Sequence, residues 1–145
     1  DQCRYPPEGR RGAAGSIRAG RYGRDWKDYV ATANDAIMVL CQIESRDAVA
    51  RIAEIAIPGV DSLFLGPMDL SGSIGKLGQF DDPEVMALRA DAERAILATD
   101  AVLGTIETAA GGYDRLAAQG YRLIFATSDV ALLRNGPAGL TVKKT

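Results

Sequence analysis

Four short apolar runs, at 37–43, 60–65, 101–106 and 122–126, alternate with segments of helical periodicity along a chain of 145 residues. The first, Ile37-Met38-Val39-Leu40-Cys41-Gln42-Ile43, is nearly continuous rather than alternating. A strand of that kind is covered on both faces, which is the habit of parallel sheets. The connections are short, so the order β-α-β-α-β-α-β-α predicts an α/β protein with a parallel sheet and right-handed crossovers. An open doubly wound sheet and half of an eight-stranded barrel both accommodate four such units, and the pattern does not choose between them.

The helices carry their own punctuation. Ser45 is placed to cap a helix over 46–55, in which Val49, Ile52, Ala53 and Ala56 recur at helical spacing. Asp82-Pro83-Glu84 opens a longer helix to about residue 99, with the acid at the cap and proline in the first turn. A helix over 109–119 closes at Gly120, and Ser128-Asp129 caps a last one that Asn135-Gly136-Pro137 stops. Before the first strand, 25–33 reads as a short amphipathic helix with Trp26, Tyr29 and Val30 on one side, and the stretch before it, rich in Gly, Pro and Arg, as an extended loop.

Several function classes drop out on composition. Seventeen Lys+Arg against nineteen Asp+Glu leave a net charge of −2, which offers no electrostatic case for nucleic acid. No apolar run approaches the ~18–20 residues of a membrane span. Cys3 and Cys41 fit neither a disulfide framework nor a Cys-x-x-Cys metal pair, and the N-terminus has no basic region followed by an apolar core, so a cytoplasmic location is expected. Histidine is absent, which removes Ser-His-Asp triads, Cys-His dyads and His metal sites from these residues. The glycines form no Gly-x-Gly-x-x-Gly after a strand and no Walker loop.

In both α/β architectures function gathers at the carboxyl ends of the strands. Glu44 closes the first strand and Asp69 follows the second. As strand-end carboxylates in neighbouring units they offer hard oxygen ligands suited to Mg²⁺ or Mn²⁺; as single residues Glu44 is also an ordinary acid near a helix N-terminus and Asp69 an ordinary helix cap. Gln42 stands two residues before Glu44 and shares its side of the strand, which inside a barrel is the lumen. Its neighbours Leu40 and Ile43 argue against a wet strand. Gly66-Pro67 leaves the backbone N–H groups of Met68 and Asp69 at a helix start, where they can bind a carboxylate. Arg10-Arg11 lie in a glycine loop with two roles open, anion binding or solvation. Cys41 reads as an inert core thiol, and Tyr22, Trp26 and Tyr29 as core or subunit contacts.

The segments Tyr5-Pro6-Pro7-Glu8-Gly9-Arg10-Arg11-Gly12, Gln42-Ile43-Glu44-Ser45, Gly59-Val60-Asp61 and Leu65-Gly66-Pro67-Met68-Asp69-Leu70-Ser71, with Tyr29 and Ala33-Asn34, resemble the class II pyruvate aldolases of the HpcH/HpaI aldolase/citrate lyase family. The resemblance runs essentially end to end and is strongest over residues 4–83. It implies a TIM (β/α)₈ barrel of the phosphoenolpyruvate/pyruvate type, of which residues 1–145 are the C-terminal portion, about the second half. It further implies a cytoplasmic homo-hexamer, a trimer of dimers. Glu44 and Asp69 are then the ligands of Mg²⁺, Mn²⁺ or another divalent metal, and Gln42 with the backbone of Met68 and Asp69 holds pyruvate. The implied reaction is aldol cleavage or condensation of a 4-hydroxy-2-oxo acid, giving pyruvate and an aldehyde through a metal-stabilised enolate. Met68 stands where relatives usually carry alanine or serine, which predicts a narrower pocket. The family's histidine base and transition-state arginine belong to the first half of the barrel, outside these residues, so this portion alone is expected to be inactive. The alternative is a half-barrel that binds metal and keto-acid, or a partner chain, without turnover.

Overall fold

The computed structural model describes residues 1–107 and 112–136. The chain divides into two compact units, Asp1–Val39 and Leu40–Thr145.

In the first unit a 3-10 stretch, Arg18–Gly23, precedes the helix α1 (Trp26–Ala36). The unit is organised around Tyr5, which is buried. Its backbone N–H donates to Asn34 Oδ1 (2.7 Å), and Asn34 Nδ2 donates back to the Tyr5 carbonyl (3.0 Å). The rings of Trp26 and Tyr29 meet the Tyr5 ring edge-on at 6.2 and 6.1 Å, and the Arg11 guanidinium lies 4.7 Å above its centre. Arg10 instead pairs with Asp1 at the surface. Trp26 and Tyr29 are therefore packing residues as expected, whereas Tyr22 is exposed.

The second unit holds four parallel strands, β1 (Leu40–Ile43), β2 (Ser62–Leu65), β3 (Val102–Ile106) and β4 (Leu123–Phe125), in the spatial order in which they occur in the chain. Between and after them run α2 (Arg46–Ala50), α3 (Ile52–Ile55), α4 (Pro67–Gly72), α5 (Pro83–Leu97), α6 (Gly112–Ala118) and α7 (Asp129–Asn135). This sequential parallel order is that of one half of a (β/α)₈ barrel.

The two faces of the sheet differ. Ile43, Leu63, Leu65 and Leu103 pack beneath the helices against Ile52, Ala92, Ile96, Leu116 and Tyr121. In the register Gln42↔Phe64↔Gly104↔Leu123 the other face carries Leu40, Gln42, Phe64, Ile106 and Phe125, and of these only Phe64 is buried. The expectation that Leu40 and Ile43 keep Gln42 dry is thus corrected, because Ile43 faces the opposite side.

Strand ends follow pairing rather than hydropathy. Residues 37–39 are as apolar as β1, but the ladder begins at Leu40↔Ser62. The helix expected over 46–55 breaks at Arg51 (φ −114°, ψ 16°) into α2 and α3. Ser45, Asp82 and Ser128 cap α2, α5 and α7 through their side chains, as the sequence predicts. The expected helix over 109–119 is described from Gly112 onward, and residues 109–111 lie outside the described residues.

Candidate functional site

The carboxyl ends of β1 and β2 are adjacent, and three hydrogen bonds order this region, one of them between the two strand ends. Gly66 N–H donates to the Ile43 carbonyl (3.2 Å), and Thr105 Oγ1 donates to the Leu65 carbonyl (3.1 Å) from β3. Gln42 Nε2 donates to Glu44 Oε2 (3.1 Å), so the two side chains share one side as the alternation requires. Both lie against Gly66: a Cβ added there would stand 3.3 Å from Glu44 Oε2 and 3.6 Å from Gln42 Nε2. The close approach explains the glycine at this position.

Gly66 is also the N-cap of α4, and Pro67 its first residue. Leu70 is the first to donate back within this turn, to the Gly66 carbonyl (2.9 Å). The N–H groups of Met68 and Asp69 precede it and have no carbonyl inside the helix to meet. Asp69 itself does not cap α4, since the N-cap is Gly66 and no side chain bonds there. Glu44 does not cap α2 either; Ser45 does. Neither acid is a cap, although Asp69 stands in the first turn of α4 and Glu44 just before the cap of α2, as ordinary acids of a helix start do.

Two hydroxyls, that of buried Ser71 and that of exposed Ser73, hold α4 in place. Ser71 Oγ donates to the Met68 carbonyl (2.7 Å) and accepts from Gly78 N–H (2.9 Å). Ser73 Oγ donates to the Leu70 carbonyl (2.7 Å) and accepts from Arg46 N–H (3.1 Å) at the start of α2. Behind this loop Lys76 bridges Asp82 (2.7 Å) and Glu84 (3.1 Å), and Glu84 also pairs with Arg46. The hydrogen bond from Lys76 holds the Asp82 carboxyl below its ordinary range; that from Arg46, then that from Lys76, does so for Glu84; and Asp82 foremost raises the Lys76 ammonium.

A cavity of about 830 Å³ opens over the strand ends. Gln42, Gly66, Met68 and Asp69 line it, together with Phe64, Phe125 and a charged group that the sequence reading did not single out: Arg89, Glu107 and Arg115. Those three were legible only as surface charges on predicted helices and a strand end. Glu44 reaches the site through its contacts with Gln42 and Gly66.

For a metal, the donor chemistry fits. Glu44 and Asp69 supply carboxylate oxygens at neighbouring strand ends, the set a hard divalent cation takes with substrate and water completing its shell. Among the described residues no group of three or more His, Cys, Asp or Glu side chains is gathered for an ion.

Residues 1–136 match the family HpcH/HpaI aldolase/citrate lyase. The chain belongs to this family. The chain is 41% identical over 134 residues to 2-dehydro-3,6-dideoxy-6-sulfogluconate aldolase of Pseudomonas putida, covering 90% of this chain and 51% of that protein. It is 54% identical over 84 residues to hydroxypyruvate/pyruvate aldolase of Sagittula stellata, covering 57% of this chain and 33% of that one. In structure it resembles an HpcH/HpaI aldolase/citrate lyase family protein from Burkholderia cenocepacia, with a TM-score of 0.76, 38% identity, and coverage of 95% of this chain and 56% of that one. The chain spans about half the length of the curated relative it matches over most of its own length. As expected for the family, the sheet is a partial barrel of the TIM type. No helix among the described residues is long and apolar enough to cross a membrane.

Proposed function

We propose that this HpcH/HpaI family chain serves a divalent-metal-dependent aldolase that cleaves or forms a 4-hydroxy-2-oxo acid, with pyruvate and an aldehyde as the smaller partners. The observation that carries the reading is the pairing of Gln42 with Glu44 over Gly66, beside the open start of α4 at Met68 and Asp69. The names of the two aldolase relatives support the same reaction class.

In this reading Glu44 and Asp69 hold a Mg²⁺, Mn²⁺ or related ion, which when bound supplies Lewis-acid stabilisation of negative charge on the keto-acid oxygen. Gln42 orients Glu44 through its amide N–H. The N–H groups of Met68 and Asp69 receive the pyruvate carboxylate, aided by the positive end of α4. Leu40, Phe64 and Phe125 give the cavity an apolar wall beside these polar groups. We further propose that residues 1–145 are the C-terminal portion of one barrel domain, and that the protein works as a cytoplasmic homo-hexamer.

Glu44→Gln and Asp69→Asn test the assignment. Even residues that only orient metal ligands cost about 10–100-fold on mutation, so each of these variants is expected to lose more than about 100-fold of metal-dependent pyruvate release. Retention of activity in both variants overturns the assignment. A second reading is favoured by the absence of histidine from the 145 residues: binding of metal and keto-acid without turnover, since no imidazole base is present. Oxalate binding in Mg²⁺ with no pyruvate release selects it.

A further inference from the structure

Ser71 lies in α4 fully withdrawn from solvent, and the proposed chemistry gives it no part. The loop after the helix closes on it twice: Lys76 N–H donates to its carbonyl (3.0 Å) and Gly78 N–H to its Oγ (2.9 Å). Gly78 takes φ +76°, a left-handed turn of the chain that glycine adopts without strain. Its amide can only donate, and the Met68 carbonyl, 2.7 Å from Oγ, can only accept. The one hydroxyl proton of Ser71 is therefore directed to Met68.

A serine that bonds back to the carbonyl three residues earlier is ordinary in a helix, and Ser73 does the same to Leu70. The difference lies in the peptide that is held. The Leu70 carbonyl shares its peptide plane with Ser71 N–H, which lies beyond the open first turn of α4. The Met68 carbonyl shares its plane with Asp69 N–H, one of the donors that have no carbonyl inside the helix to meet. Carbonyl and N–H of a trans peptide point in opposite directions in one plane, so a hydroxyl that fixes the first aims the second. Hydrogen bonds in a chain also polarise one another, which makes that N–H the stronger donor.

We propose that Ser71 is a positioning residue for the keto-acid: the bonds from Gly78 N–H to Ser71 Oγ, and from Ser71 O–H to the Met68 carbonyl, aim Asp69 N–H at the pyruvate carboxylate. The inference rests on the aldolase reading above, in which that N–H receives the carboxylate. Without the hydroxyl the peptide is free to turn about its Cα–Cα axis, which misdirects the N–H and leaves the Asp69 side chain in place. Loss of the Ser71 hydroxyl thus separates keto-acid binding from metal binding. Loosening of α4 as a whole would weaken both.

The test measures two affinities by calorimetry: that of Mn²⁺ for the protein, and that of oxalate, a stable stand-in for the planar keto-acid, for the Mn²⁺-loaded protein. Ser71→Ala is expected to weaken oxalate about tenfold, the order of one charge-assisted hydrogen bond, and to leave Mn²⁺ affinity unchanged. Ser71→Cys keeps the size of the side chain and a weak S–H donor, so its oxalate affinity should fall between the two. It carries the same test if the alanine variant fails to fold. Ser73→Ala removes a bond of the same kind from the peptide beyond the open turn, and its loss of oxalate affinity should be the smaller. Parental oxalate affinity in the folded Ser71 variants, a parallel loss of Mn²⁺ affinity, or an equal oxalate loss in Ser73→Ala overturns the inference and leaves the aldolase reading standing. Failure of the parent to bind oxalate in the presence of Mn²⁺ overturns both.

Discussion

Gln42 donates its amide to Glu44 Oε2 across 3.1 Å, binding the last polar residue of β1 to the acid that follows the strand. One oxygen of Glu44 is thereby turned in a set direction against Gly66. Gln42→Leu removes that restraint but leaves the carboxylate. Pyruvate-forming activity and Mn²⁺ affinity are expected to fall about 10–100-fold, the usual effect of losing a residue that orients a metal ligand. Titration of Mn²⁺ with coupled pyruvate detection checks both; unchanged Mn²⁺ affinity would remove Gln42 from the site.

Two glycines separate the site from the scaffold. At Gly66 a Cβ meets the Glu44 side chain at 3.3 Å, whereas at Gly104 it meets Phe64 Cδ2 at 2.9 Å and the Leu123 carbonyl at 3.3 Å. Gly104→Ala is expected to cost about 1–3 kcal/mol, the range for overfilling a packed interior. Gly66→Ala is expected to move activity more than stability, because Glu44 can turn aside. Thermal melts and pyruvate assays on both variants decide, and the reverse ranking would contradict this account.

Tyr121 is buried and its O–H donates a hydrogen bond to Glu93, with Arg89 alongside. Burial foremost, and then the Glu93 hydrogen bond, push its phenol well above the ordinary value near 10, although Arg89 opposes them. The sign follows: the folded form keeps a proton that the unfolded chain gives up, so this contribution is present below pH ~10 and is lost as pH rises beyond it. Tyr121→Phe should lower stability at pH 7 by about 1 kcal/mol, the net value of one hydrogen bond, and should flatten the decline above pH 10. Chemical denaturation at pH 8 and pH 11 reads the difference.

Asp82 and Glu84 behave oppositely. Their carboxyls sit below the ordinary range, through Lys76 for Asp82 and through Arg46 and then Lys76 for Glu84. Their contribution is present above the unfolded value near pH 4 and is lost as pH falls through the folded one. Lys76→Met should therefore lower the melting temperature at pH 7 and leave it nearly unchanged at pH 2.5. An equal loss at both pH values would show that the ion pairs are not its source.

How much of this was legible beforehand varies by residue. The alternation of strands with helices and three helix caps were readable because each depends on neighbours in the chain: Ser45, Asp82 and Ser128 need only the N–H groups just ahead of them. The spatial order of the strands was not in the pattern and followed only from the resemblance to the family. The Gln42–Glu44 pair followed from alternation alone. What the sequence withheld depends on distant partners. Residues 37–39 look like strand but have no place in the ladder, and the break at Arg51 has no proline or glycine to announce it. Arg89, Glu107 and Arg115 read as solvated charges until α5, β3 and α6 bring them to one cavity. Asp69 as a helix cap was a reasonable local alternative, and it failed only because Gly66 already occupies that position.

The order β1-β2-β3-β4 has a bearing on how the molecule comes into being. Among the described strands β2, β3 and β4 each pair with the strand just before them in the chain, so these three closures stay short. The ends of β1 and β2, where Glu44, Gly66 and Asp69 stand, belong to the first of these pairings. The candidate chemistry thus rests on a seam whose two sides are neighbours in sequence as well as in space, a short-range closure of the kind that forms readily.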